Sequence, residues 1–287
     1  MSSGLKIKLF EGGHCVHPGF VVKPGSGIKP RSFPAAVAAI HHPTQGYILF
    51  DTGYHEAFFE RTRSFPERFY AWTTPCHFHK DDGILEQLHK EGISKTDIKH
   101  VVLSHFHADH IAAICEFDDA EIHCHPDGLN ALTQSSRVGG VRKGYLKKLL
   151  PDSLKNNIRT HSNITQPIGD VLSEANDIDL QCQDLFGDGL LFLVYLPGHA
   201  AGQVGLLARL SNNWVFLLAD ACWLIESLSD NVNQHWLANM LCDDVGAYKR
   251  TLNELRKCYQ QLNHVVEFVP SHCSDTIDRL KEKGWMS

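Results

Sequence analysis

The segment Ser104-His105-Phe106-His107-Ala108-Asp109-His110, which follows the apolar run Val101-Val102-Leu103, constrains this 287-residue chain more than any other. Side chains of an extended segment repeat their direction every two residues, so His105 and His107 point the same way from a strand end and can share one metal. Asp109 and His110 come at the turn into a helix predicted over Ile111–Cys115, where the chain changes direction and aims them at a neighbouring position suited to a second metal. Without a cation, three imidazoles and a carboxylate between a buried strand and an apolar helix start would carry a large desolvation cost.

Charge and composition narrow the partners. Lys and Arg number 27 against 33 Asp and Glu, a net charge of −6, which argues against nucleic acid or an anionic membrane surface as the main partner. With 43% hydrophobic residues the chain can bury a sizeable core. No window approaches the roughly 18 uninterrupted apolar residues of a membrane-spanning helix. Met1–Gly4 leads at once into the alternating Leu5-Lys6-Ile7-Lys8-Leu9, too polar for a signal peptide, so a cytoplasmic protein is expected. The nine cysteines contain no Cys-x-x-Cys pair and are expected to be reduced thiols.

Leu5–Phe10 alternates, Ala35–Ile40 is small and apolar, and Gly46–Phe50 stops at Asp51-Thr52-Gly53, which predicts three strands. An aromatic excursion over about 54–82, broken by Pro66 and Pro75, suits a pocket wall, a packed surface or a dimer contact. Ile84–Gly92 reads as a short amphipathic helix. Ala120–Pro126 reads as a strand in which His123 and His125 repeat the two-residue spacing; no carboxylate or third histidine follows, and both are read as structural. A second excursion, 127–170, carries the basic cluster Arg142–Lys148, a solvated face. Three later strands each deliver a metal-ligand type at their end: Leu190–Leu196 before Pro197-Gly198-His199, Trp214–Ala219 before Asp220, and Val265–Ser271 before His272. Val245, Tyr248, Leu252, Leu255, Tyr259 and Leu262 step by 3 and 4 and predict a helix, with a short closing helix over Asp275–Lys283. Residues 1–287 are read as one domain with the two excursions as insertions.

The candidate ligands His105, His107, Asp109, His110, His199, Asp220 and His272 thus all sit at or just beyond strand ends. Together with Asp51-Thr52-Gly53 they resemble the metallo-β-lactamase superfamily, whose His-x-His-x-Asp-His motif stands here as His105–His110. The resemblance implies an α/β (α+β) fold, an αββα sandwich of two mixed β-sheets flanked by helices. Residue by residue it implies one metal on His105, His107 and His199, another on Asp109, His110 and His272, Asp220 bridging, and Asp51 orienting the motif ligands. Nitrogen and oxygen ligands without thiolate suit two Zn2+, with iron, manganese or cobalt compatible.

Within the superfamily the chain is most similar to the N-acyl-homoserine lactonase-type metallohydrolases. This implies quorum-quenching hydrolysis of a small-molecule lactone or ester by a metal-bridging hydroxide. A phosphodiesterase of the same fold is the enzymatic alternative, favoured if Arg142 or Lys143 reaches the pocket. A metal-binding sensor with little turnover is the non-enzymatic one. Those lactonases carry a tyrosine three residues after the bridging aspartate, where Trp223 stands here, and Ala112-Ala113 replaces Gly-Gly after the motif. The catalytic set expected is Asp109, Asp220 and Trp223. Cys222 and Cys273 are read as buried thiols, His14 and His17 as pocket-rim residues in a loop, and the aromatic excursion is compatible with a homodimer.

Overall fold

The computed structural model describes residues 4–21, 25 and 27–287; Met1–Ser3 of the N-terminal reading lie outside them. The first sheet contains β1 (Lys6–Pro18), β2 (Pro30–His42), β3 (Gly46–Phe50), β4 (Cys76–His77), β5 (Ile98–Val102), β6 (Glu121–Cys124) and β7 (Ile158–Thr160), in the order β4-β1-β2-β3-β5-β6-β7. The β4-β1-β2-β3 portion is antiparallel, and β3, β5, β6 and β7 run parallel. The second contains β8 (Gln166–Pro167), β9 (Gln181–Asp184), β10 (Leu191–Tyr195), β11 (Val204–Arg209), β12 (Trp214–Ala219) and β13 (Val266–Pro270), ordered β13-β12-β11-β10-β9-β8. Only the β12–β13 pair in it is parallel.

Strand alternation gives each sheet two apolar faces. Ile7, Leu9, Ile40, Ile48, Phe50 and Val102 meet Leu191, Leu193, Leu206 and Leu217 between the sheets. The opposite face of the second sheet, with Phe192, Val194, Leu207 and Phe216, packs under Tyr248, Leu252 and Leu255 of the helix Val245–Leu262. Leu49, Val101 and Ile122 on the outer face of the first sheet receive Ile84, Leu88, Ile111 and Ile114. The result is the helix-flanked, two-sheet sandwich that the sequence implied. No described helix is long and apolar enough to cross a membrane.

Two local expectations differ. The helix after the motif spans Ala108–Ile111 and gives way to a 3-10 turn at Ile114–Glu116, rather than covering Ile111–Cys115. The cause is Thr52, whose backbone N–H and hydroxyl both donate to the His110 carbonyl (2.8 and 2.9 Å) and divert it from helical use. Asp109 and His110 therefore lie within the first helical turn. His14 and His17 stand on β1, not in a loop, because β1 continues past a bulge between Glu11 and His14.

Candidate metal centre

Each candidate ligand is carried to one edge of the sandwich by a strand end, and none of the seven is more than 8% exposed. Beyond β5 the chain delivers His105, His107, Asp109 and His110; beyond β10, β12 and β13 it delivers His199, Asp220 and His272. Asp220 is re-aimed by the backbone. The β12–β13 register shifts between Leu217 and Ala219, and Ala219 has φ +49°, a left-handed value rare outside glycine. Asp51, at φ +60°, is held in the same region at the end of β3.

Ligand-type atoms of His105, His107 and His199 all lie within 4.8 Å of one another, and so do those of Asp109, His110 and His272. Asp220 spans the two groups. Its Oδ1 is 3.2 Å from His110 Nε2, and its Oδ2 is 3.3 Å from His199 Nε2 and 3.1 Å from His272 Nε2. The structure thus brings together all seven residues expected from sequence, in the two groups the resemblance implied.

Hydrogen bonds on the far side of the rings determine which nitrogen faces inward. The Pro34 carbonyl accepts from His272 Nδ1 (2.7 Å), the Lys143 carbonyl from His107 Nε2 (2.9 Å), and Asp51 Oδ2 from His110 Nδ1 (2.7 Å). Ser104 Oγ donates to Asp51 Oδ2 (2.8 Å) and accepts from His105 Nδ1 (3.0 Å). These bonds leave lone pairs on His272 Nε2, His107 Nδ1, His110 Nε2 and His105 Nε2 directed at the centre. Asp51, which also accepts from the Ser104 backbone N–H (2.8 Å), orients two motif histidines at once.

Burial pushes the pKa of His105 far down, reinforced by the neighbouring His110 and His107, and lowers His199 to about 3, so both are neutral and able to ligate. For Asp220 burial opposes ionisation, but His272, His110 and His199 outweigh it and hold the carboxyl well below its usual range. For His110 and His272 burial is likewise outweighed, by Asp109, Asp51 and Asp220 around His110 and by Asp220 and Asp109 beside His272, so both are raised. His105 Nε2 is buried without a hydrogen-bond partner among the described residues, an arrangement a cation would satisfy.

Trp223 Nε1 donates to Asp220 Oδ2 at 2.9 Å, and its ring lies against His199 and His272. The pocket over the ligands is also lined by Cys15, His17, Val21, Phe33, Tyr54 and Tyr70. His14 instead lines an outer groove with His77 and Phe78. Cys222 and Cys273 are buried free thiols, as expected; burial pushes the Cys222 pKa up, and its Sγ donates to the Leu224 carbonyl. Lys143 turns its ammonium away to pair with Asp243.

Sequence reasoning missed Gly144, which lets the second excursion press on His107. With φ +83°, an added Cβ would lie 2.7 Å from His107 Cδ2 and 2.9 Å from its Nε2. Gly144→Ala is expected to lower stability by about 1–2 kcal/mol and reduce bound metal, through backbone strain and a displaced ring. Thermal melting and metal content check this; a variant matching its parent in both would show that His107 has room to yield.

A two-sheet sandwich holding buried imidazoles and carboxylates at converging strand ends defines a metal-dependent hydrolase. The family model described as the metallo-beta-lactamase superfamily matches residues 33–212, and the chain belongs to that superfamily. It is 30% identical over 205 residues to the N-acyl homoserine lactonase AttM of Rhizobium radiobacter, covering 71% of this chain and 68% of AttM. A solved N-acyl homoserine lactone hydrolase, with the product N-hexanoyl-L-homoserine at its catalytic metal centre, superposes with a TM-score of 0.72 at 18% identity, covering 96% of this chain and 95% of that one. AidC, a dizinc quorum-quenching lactonase, gives 0.65 at 14% identity over 96% and 89% of the two chains.

Proposed function

We propose that this hydrolase binds two zinc ions and opens a lactone or related ester, as a quorum-quenching lactonase does. His105, His107 and His199 would hold one ion, Asp109, His110 and His272 the other, with Asp220 shared. Such a pair, when bound, supplies a water acidic enough to ionise near neutral pH and polarises the ester carbonyl. The carboxylate of Asp109, in the pocket lining, is the group offered to carry a proton from water to the departing alkoxide as the acyl C–O bond breaks. Trp223, through its indole N–H, keeps the Asp220 carboxylate in register.

The observation that carries this reading is the pocket lining. Phe33, Tyr54, Tyr70 and Val21 offer apolar and aromatic surface to an acyl chain, and no lysine or arginine lines the pocket among the described residues. That favours a neutral ester over a phosphodiester, whose charge would call for a cation such as Lys143. The likeness to AttM supports the same substrate class, and retention of all seven ligand residues supports turnover over a sensor role. Nine free cysteines suit a reducing cytoplasm, and exposed Phe65, Phe69 and Trp72 on the first excursion suit a homodimer contact.

The test is a hydrolysis panel on the zinc-loaded protein with acyl-homoserine lactones, aryl esters and bis-aryl phosphodiesters. Lactone hydrolysis is expected to exceed phosphodiester hydrolysis in kcat/KM by at least about 100-fold, on the order of 3 kcal/mol. Turnover of the phosphodiester alone would reverse the assignment.

A further inference from the structure

The inward face of the first sheet is apolar along β1, β2 and β3, and beside Val102 it carries polar groups at His100 of β5 and on β6. His100 on β5 is paired with Glu121 on β6, and Val102 with His123, so the two-residue repeat stands His100, Glu121 and His123 on one face. His100 Nδ1 lies 3.0 Å from His123 Nε2 and 3.7 Å from Glu121 Oε2, and ligand-type atoms of the three residues fall within 4.8 Å of one another. We propose that His100, Glu121 and His123 form an additional binding site for a divalent transition metal of the zinc class, separate from the strand-end centre.

The chemistry of the three groups fits. Burial lowers the pKa of His123 to about 3, helped by His100, His161 and Arg159, and burial lowers that of His100, so both rings are neutral near pH 7 and carry a lone pair. Two nitrogens on one zinc at about 2.0–2.1 Å stand a little over 3 Å apart, so the observed 3.0 Å needs only a small adjustment. Arg159 holds Glu121 Oε1 at 3.0 Å, which leaves Oε2 for the metal.

The surroundings orient the rings as a metal would require. His123 Nδ1 is 3.0 Å from His161 Nε2, and His161 Nδ1 is 3.5 Å from the Gln183 amide. Turning that amide so that its otherwise unpartnered Oε1 accepts from His161 Nδ1 makes His161 Nε2 the acceptor for His123 Nδ1–H. The lone pair of His123 then sits on Nε2, facing His100. Phe186 packs against both rings, and the partly exposed Glu121 leaves a route for the ion. The His123 carbonyl accepts from the Leu103 N–H at 2.8 Å, so a metal here would pin β6 beside the segment that delivers the motif ligands.

The rival arrangement is a hydrogen-bonded row of histidines that needs no metal. Metal counting separates the two without reference to substrate. The whole protein is stripped with chelator, equilibrated with zinc alone and analysed for bound metal after dialysis, beside Glu121→Gln and His100→Asn. Each variant is expected to bind one equivalent fewer than the parent while its hydrolytic rate stays within about twofold. The difference carries the result, so a failure of the two-zinc reading would change the parent total and leave this comparison intact. Equal zinc in the parent and in the conservative Glu121→Gln variant would overturn the proposal.

Discussion

Asp220→Ala is expected to bind at least one metal equivalent fewer than its parent and to hydrolyse substrate roughly 1000-fold more slowly, a loss on the order of 4 kcal/mol in kcat/KM. Both oxygens of this carboxylate are in use: Oδ1 faces His110, and Oδ2 faces His199 and His272 and accepts from Trp223. Alanine removes the one group that spans the two triads. It also removes negative charge that, with Asp109, raises the pKa of His110 and His272, leaving their rings less restrained. His272→Ala should lose metal as well, since its ring is positioned by the Pro34 carbonyl and cannot be replaced from another element. Metal analysis and steady-state kinetics read both. If the two variants kept the full parental metal content, the ligand assignment would be wrong.

Asp51→Asn is the second large effect, although Asp51 faces away from the pocket. Its carboxylate accepts from His110 Nδ1, Ser104 Oγ and the Ser104 N–H at 2.7–2.8 Å, and it is fully buried. An amide in its place offers a donor where two acceptor positions are needed, so one motif histidine loses its orientation. Metal affinity should fall about 10–100-fold. Asp51→Ala should further cost roughly 3–5 kcal/mol of stability, because it strands a buried imidazole N–H and two serine donors. Chelator competition and thermal unfolding measure the two consequences separately. Unchanged affinity in Asp51→Asn would remove Asp51 from any orienting role.

The candidate ligands were legible because most follow an apolar run, such as Leu191–Tyr195 or Trp214–Ala219, that reads as a buried strand. Strand interiors were read well for the same reason. Features made by backbone atoms were not legible. Nothing in the residue types marks the bulge at Ala219, the diversion of the His110 carbonyl by Thr52, or the Lys143 carbonyl that fixes His107. The pocket wall was only partly visible, because Cys15, Phe33, Tyr54 and Tyr70 come from separate segments that converge on folding. The grouping proposed for His123 was not legible along its own strand, because His100 lies across the ladder on β5 and Glu121 precedes it.

The second excursion touches the centre through a main-chain carbonyl at Lys143 and a side-chain-free Gly144, while the lysine ammonium is engaged elsewhere. Beside them the ring of Tyr145 lies 5.4 Å from that of His107, and its hydroxyl accepts from the Ala201 N–H. The exposed part of this excursion could therefore vary in sequence and reshape what the pocket admits, so long as the Lys143 carbonyl, Gly144 and Tyr145 stay at that one corner. Substrate range and metal chemistry would then be free to diverge along separate mutational routes.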